Sequence, residues 1–201
     1  MDILCGIGRI IMALPKEYER YSWDEYRSWP EDERWELIEG VAWDMSPAPS
    51  RNHQQILVEI VRQFANATWS SDCEVFAAPF DVKLSEEKED AAPTVVLPDV
   101  VLCCDGDKLT EWGMQGPPDL IIEIVSPASG RKDRKQKFSL YERYDVGEYW
   151  IVDPEEQVVE IYHNKGKRFD RIGAYGPEDR PGVEALPGFE LNLAETFRTE
   201  R

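Results

Sequence analysis

The stretch Asp119-Leu-Ile-Ile-Glu-Ile-Val125 decides how this chain is read. Branched apolar residues run on both sides of a single acid, the pattern of a buried strand. Alternation puts Asp119, Ile121, Glu123 and Val125 on one face and Leu120, Ile122 and Ile124 on the other. An ionised Glu123 in such a strand costs on the order of several kcal/mol unless something pairs with it. A chain keeps an acid of this kind for a salt bridge, a proton transfer or a metal ion.

Upstream, Pro98-Asp99 opens the apolar run Val100-Val-Leu-Cys-Cys104. An acid at the mouth of a strand is well placed for a site at a sheet edge, although a turn-forming Asp has the same look. Downstream, Ser126-Pro-Ala-Ser-Gly130 turns the chain into a helix from Arg131 to Tyr144. At roughly 100° per residue, Phe138, Leu140, Tyr141 and Tyr144 define its apolar arc, and Lys137 falls near the centre. Lys137 should therefore face the sheet, either as a snorkelling stem or as a partner for Glu123 and Asp99. Two carboxylates held close ionise cheaply only around a cation. Oxygen ligands favour Mg²⁺ or Mn²⁺ over zinc. A nearby ammonium would then orient, or help deprotonate, a water attacking phosphorus.

The 201 residues suit one domain with a full core, and 42% apolar residues with 7 Trp and 8 Tyr argue for a folded, soluble chain. The net charge of -17 speaks against a general nucleic-acid coat protein, since phosphate binding needs a basic surface. It leaves room for an enzyme that meets nucleic acid through a local strip. Arg131-Lys-Asp-Arg-Lys-Gln-Lys137 is the one dense basic strip, opening at a helix N-terminus that itself favours anions. Arg131 and Arg134 are its candidate phosphate contacts, and a solvated helix face is the plain alternative. The four cysteines, at 5, 73, 103 and 104, show no CxxC spacing, and only two His are present, so a thiolate zinc site is not expected. Reduced core thiols and a cytoplasmic location are the expectation. The segment from Met1 to Leu14 is too short to span a bilayer and poor as a secretion signal, and Met12 is a candidate start.

Along the chain, Ser22-Trp-Asp-Glu25 has capping-box spacing for a short helix ending near Pro30. Trp35 to Met45 reads as a hairpin around Glu39-Gly40, followed by a loop through Ser50. Ile56, Leu57, Ile60, Val61 and Phe64 carry the 3-4 spacing of an amphipathic helix running to about Trp69. Strands are expected at 75–84, with Pro79 marking an edge or bulge, and at 95–104, 120–125 and 148–153. An acidic exposed loop separates the first two. A hairpin at 158–163 and 168–175 turns at Asn164-Lys-Gly166, and a last strand lies near Phe189. The class is mixed α/β with a central sheet covered by helices.

Pro98-Asp99 with Glu123 after 24 residues resembles the PD-(D/E)XK nuclease motif. More specifically, the chain resembles the bacterial Uma-type restriction endonuclease family, a domain of unknown function. The likeness spans Tyr21 to Leu193. It rests on Glu36-Leu-Ile-Glu-Gly40, His53, Leu97-Pro-Asp-Val-Val101, Ile122-Glu-Ile-Val-Ser-Pro127, Asp133-Arg-Lys-Gln-Lys137, Tyr141 and Val146-Gly-Glu-Tyr-Trp-Ile-Val-Asp-Pro154. The short acidic motif is weak by itself; the ordered set is specific.

The resemblance implies a restriction-endonuclease-like mixed central sheet flanked by helices, with additional hairpins. It implies residues 1–20 as an N-terminal extension, 21–195 as a single domain and 196–201 as a tail. It also implies a metal-dependent endonuclease acting on nucleic acid, with DNA as the leading substrate. Asp99, Glu123 and Lys137 would be catalytic, and Asp99, Glu123 and Glu36 would hold Mg²⁺ or Mn²⁺. His53 and Tyr141 are candidate cleft residues, while Asp81 reads as structural. One departure matters: the Lys expected two places after the acid is replaced by Val125, so Lys137 on the following helix takes that role. A homodimer is compatible, since cutting a duplex takes two sites. Two other functions stay open: a catalytically silent nuclease fold acting as a binding or accessory factor, and a phosphoesterase acting on a small nucleotide.

Overall fold

The computed structural model describes residues 19–30, 34–45, 49–84, 93–125 and 131–198, with only the backbone at 131–134. The expectations for Met12, the loop at 46–48, the acidic stretch 85–92, the turn 126–130 and the Arg131 and Arg134 side chains lie outside the described residues.

Helix α1 (Trp23–Tyr26) precedes a hairpin of β1 (Trp35–Ile38) and β2 (Val41–Asp44). Helix α2 (Arg51–Thr68) leads to β3 (Glu74–Ala77), β4 (Asp81–Lys83), β5 (Val95–Val96) and β6 (Val100–Cys103). After β7 (Leu109–Thr110) and β8 (Gly113–Gln115) comes β9 (Leu120–Ile124), joined by α3 (Arg131–Arg143) to β10 (Glu148–Asp153). The chain ends with β11 (Val158–Asn164), β12 (Phe169–Tyr175), β13 (Gly182–Val183), β14 (Leu186–Glu190) and α4 (Leu193–Thr196).

The α/β class is as expected, but the strands divide into two six-stranded sheets and one two-stranded sheet. The first sheet has the order β2-β1-β5-β4-β8-β7 and the second β12-β11-β10-β9-β6-β3. The division falls inside two runs read from sequence as single strands. The run 75–84 breaks at Ala78-Pro79-Phe80, and the run 95–104 breaks at Leu97-Pro98-Asp99. Proline has no N–H to give a ladder, so pairing cannot continue unbroken through it. In each case one half joins the first sheet and the other half joins the second. The two crossings touch, since the Ala78 N–H donates to the Asp99 carbonyl at 3.0 Å.

Local chemistry accounts for the connections. Ser22 caps α1 by accepting from the Glu25 N–H, and Glu25 Oε2 accepts from the Ser22 N–H at 2.7 Å. Glu39 and Gly40 have φ values of 53° and 77°, the positive pair that a tight two-residue hairpin needs. Strands β9 and β10 are parallel, so a crossover is obligatory, and α3 supplies it. They approach closely at Gly147, where a Cβ would lie 2.6 Å from the Asp119 carbonyl oxygen.

The second sheet is buried on both faces. Leu120, Ile122, Ile124, Trp150 and Val152 pack with Ile56, Ile60 and Phe64 of α2. Ile121, Val101, Tyr149 and Ile151 pack with Leu140 and Tyr141 of α3 and with Val82, Val96 and Met114 of the first sheet. Glu123 therefore faces α3 and the first sheet, as alternation requires. Packing continues past residue 195, since Thr196 and Phe197 are buried. No helix among the described residues is long and apolar enough to cross a membrane.

The expectation of reduced thiols fails at one pair. Cys73 and Cys104 form a disulfide, while Cys103 is free and buried. The antiparallel register of β3 and β6 pairs Glu74 with Cys103. One step further it sets Cys73 opposite Cys104. The argument from thiols to a cytoplasmic location falls with that expectation.

Candidate active site

Three elements from different parts of the chain deliver the site. Glu36 comes from β1 of the first sheet, Glu123 from β9 of the second, and Lys137 from α3. The Lys137 Nζ lies 2.9 Å from Glu36 Oε1 and 2.8 Å from Glu123 Oε1. One ammonium thus ties the two sheets together. Each acceptor oxygen has a further donor. Glu36 Oε1 accepts from the Leu97 N–H at 3.0 Å. Glu123 Oε1 accepts from the Tyr141 hydroxyl at 2.6 Å, one helical turn beyond Lys137.

Asp99 stands at the end of β6. The β6–β9 register pairs Val100 with Ile122, and one step further Asp99 opposes Glu123. Its Oδ2 accepts from the Ile124 N–H at 2.7 Å, and its Oδ1 lies 3.1 Å from His53 Nε2. His53 is in the first turn of α2, where its N–H donates to the Ser50 hydroxyl at the N-cap. The imidazole is buried, and its Nδ1 has no partner among the described residues.

Burial and mutual repulsion dominate the electrostatics. Burial pushes the Glu123 carboxyl up to about 7; Lys137 pulls the other way, and Asp99 and Glu36 add to the rise. For Lys137, burial favours the neutral amine, but Glu123 and Glu36 outweigh it and hold the ammonium above the ordinary lysine range. The Tyr141 hydroxyl is raised well above its usual value, first by burial and then by Glu123.

Of the residues expected from sequence, Glu36, Glu123, Lys137 and Tyr141 meet in one network. Asp99 and His53 form an adjoining pair. Glu36 is buried, with only 2% of it exposed. Asp81 lies elsewhere and accepts from the Tyr26 hydroxyl at 3.0 Å, in keeping with a structural part. Lys135 is exposed, whereas Lys137 leaves the basic strip for the interior.

Among the described residues, no three His, Cys, Asp or Glu side chains are gathered as the ligands of a metal would be. The donor chemistry nevertheless suits a hard cation. Three carboxylates share this region with one ammonium, and that shortage of positive charge contributes to the rise of Glu123. An ion here would take oxygens that an ammonium and an imidazole now hold.

The rule that singles out Glu123, an acid inside an apolar strand, also applies to Glu148 on β10, which the sequence reading passed over. Glu148 is buried and accepts from Trp150 Nε1 at 3.0 Å and from the Glu184 and Ala185 N–H groups at 2.6 and 3.3 Å. Its Oε2 lies 3.3 Å from His163 Nε2. That acid fastens the connection between β13 and β14 to the second sheet.

Comparison with known proteins finds a shared fold and a family. A solved structure described as a "putative nuclease belonging to DUF820", from Anabaena variabilis ATCC 29413, shares the fold with a TM-score of 0.69 at 20% identity. The match covers 88% of this chain and 97% of that one. The uncharacterized protein slr1290 of Synechocystis sp. (strain ATCC 27184 / PCC 6803 / Kazusa) is 26% identical over 172 residues, 84% of this chain and 87% of that protein. Residues 23–194 match the Uma2 family, described as "Putative restriction endonuclease". The chain belongs to the Uma2 family.

Proposed function

We propose that this protein is a metal-dependent endonuclease that hydrolyses phosphodiester bonds of nucleic acid, with DNA as the leading substrate. The observation that carries the reading is the meeting of Glu36, Glu123 and Lys137 between two sheets, with Asp99 opposite Glu123 in register. Membership of the family described as "Putative restriction endonuclease" supports it. Asp99 and Glu123, with Glu36, would hold Mg²⁺ or Mn²⁺. When bound, such an ion supplies Lewis-acid stabilisation of the charge that builds on a phosphate under attack.

The chain's own residues divide the remaining work. Lys137, in contact with both acids, would neutralise and orient an anionic phosphate and assist the attacking water. Tyr141 holds the Glu123 carboxylate in place. The Ile124 N–H and His53 do the same for Asp99. Arg131 and Arg134, at the start of α3, are the proposed contacts for the nucleic-acid backbone.

The test is cleavage of labelled oligonucleotides with and without Mg²⁺. Asp99→Ala, Glu123→Gln and Lys137→Ala should each abolish Mg²⁺-dependent cleavage while leaving the circular dichroism spectrum unchanged. Full cleavage by any two of them would sink the site assignment. A second reading, a silent nuclease fold serving as a binding factor, draws on two observations. These are the net charge of -17 and the engagement of all three carboxylates with protein donors. Absence of Mg²⁺ binding together with absence of cleavage would favour it.

A further inference from the structure

We propose that Lys137 is a placeholder cation: its ammonium sits between Glu36 and Glu123 where a divalent ion has to bind, and the ion enters by displacing it. The inference rests on the metal-dependent reading of the site and concerns its regulation.

The geometry makes the two acids the fixed parts and the lysine the movable one. The ammonium makes contacts of 2.9 and 2.8 Å with one oxygen of each acid, as a shared ion would. Glu36 Oε1 also holds the Leu97 N–H, and Glu123 Oε1 also holds the Tyr141 hydroxyl. If either carboxylate turned away, a buried donor would be stranded, which costs about 1–3 kcal/mol. Among the described residues, Lys137 has no such anchor beyond the two acids. Its four-carbon stem reaches them from α3, an element distinct from both strands, and rotation of that stem withdraws the charge without moving the sheets.

A displaced ammonium needs a new anion, because leaving it buried and unpaired is costly. The chemistry that meets this need is a phosphate. Ion entry and phosphate arrival then favour each other: the ion releases the lysine, and the phosphate receives it. Without a polyanion, the lysine competes with the ion and weakens its binding.

The experiment measures Mn²⁺ binding by calorimetry to the full chain and to Lys137→Met, which preserves side-chain length and removes the charge. Lys137→Met should bind Mn²⁺ at least about tenfold more tightly, since a competing charge within contact distance is gone. Equal or weaker binding overturns the placeholder. In parallel, the lysine ammonium resonances of the ¹⁵N-labelled wild type are followed by NMR during titration with Mg²⁺. The Lys137 signal should shift or vanish as Mg²⁺ binds. A signal unchanged at Mg²⁺ saturation overturns the proposal even if Lys137→Met fails to fold. A wild type that cuts oligonucleotides with Mg²⁺ while Lys137→Met gains no affinity removes the placeholder alone. Failure of both proteins to bind Mn²⁺ removes the metal-dependent reading with it.

Discussion

Glu123→Gln should raise stability relative to wild type as the pH rises, the opposite of what loss of a stabilising ion pair would do. Burial and the neighbouring Asp99 and Glu36 move the Glu123 carboxyl from 4.5 up to about 7, against the pull of Lys137. The folded state therefore holds this proton more tightly than the unfolded chain. The stability that follows is fully present below the unfolded value near 4.5 and is lost as the pH rises through about 7. At about 1.4 kcal/mol per pKa unit, the loss between pH 4.5 and 8 amounts to about 3 kcal/mol. Glutamine has nearly the same shape, keeps an oxygen for Tyr141 and Lys137, and cannot ionise. The difference in unfolding free energy, variant minus wild type, should grow by about that amount over this window. Urea unfolding followed by tryptophan fluorescence at several pH values measures it, and subtraction removes the titration of the other acids. Parallel stability curves would refute the reasoning. So would a variant that loses ground as pH rises, because Lys137 would then hold Glu123 ionised below its unfolded value.

Gly147→Ala places a Cβ 2.6 Å from the Asp119 carbonyl oxygen and should cost about 1–3 kcal/mol, seen as a lowered melting temperature in calorimetry. Cys73→Ser opens the link to Cys104 and should cost about 2–4 kcal/mol. Peptide mapping should show both thiols of the wild type alkylated only after reduction. Ser22→Ala removes the capping box and about 1 kcal/mol from α1. Because that helix carries Trp23 and precedes Trp29, iodide should quench more tryptophan emission in the variant, with the global unfolding midpoint little changed.

What was legible in the sequence is what a local period dictates. Alternation set the face of Glu123, the helical arc turned Lys137 and Tyr141 inward, and Glu39-Gly40 marked its hairpin. The same periods run on either side of Pro79 and Pro98, so they do not show that the two halves of each run join different sheets. Strands β7 and β8 have two and three residues, too few for any pattern. The Cys73–Cys104 link depends on the register of β3 against β6, and the His53–Asp99 pair joins a helix start to a strand mouth far along the chain. Such relations belong to tertiary packing and leave no local mark. The resemblance named the acids and His53, while their partners, the Leu97 and Ile124 N–H groups, emerge only when the sheets are assembled.

The chain changes sheets twice, at Ala78-Pro79-Phe80 and at Leu97-Pro98-Asp99, and the two crossings are hydrogen-bonded to each other beside the acids. In mechanical terms this is a pivot. Any opening of one sheet against the other turns about the seam, so displacement is small at Asp99 and grows toward the outer strands, β7 and β12. Asp99 and its cross-strand neighbour Glu123 both belong to the second sheet, so a change of angle between the sheets leaves their separation as the β6–β9 ladder sets it.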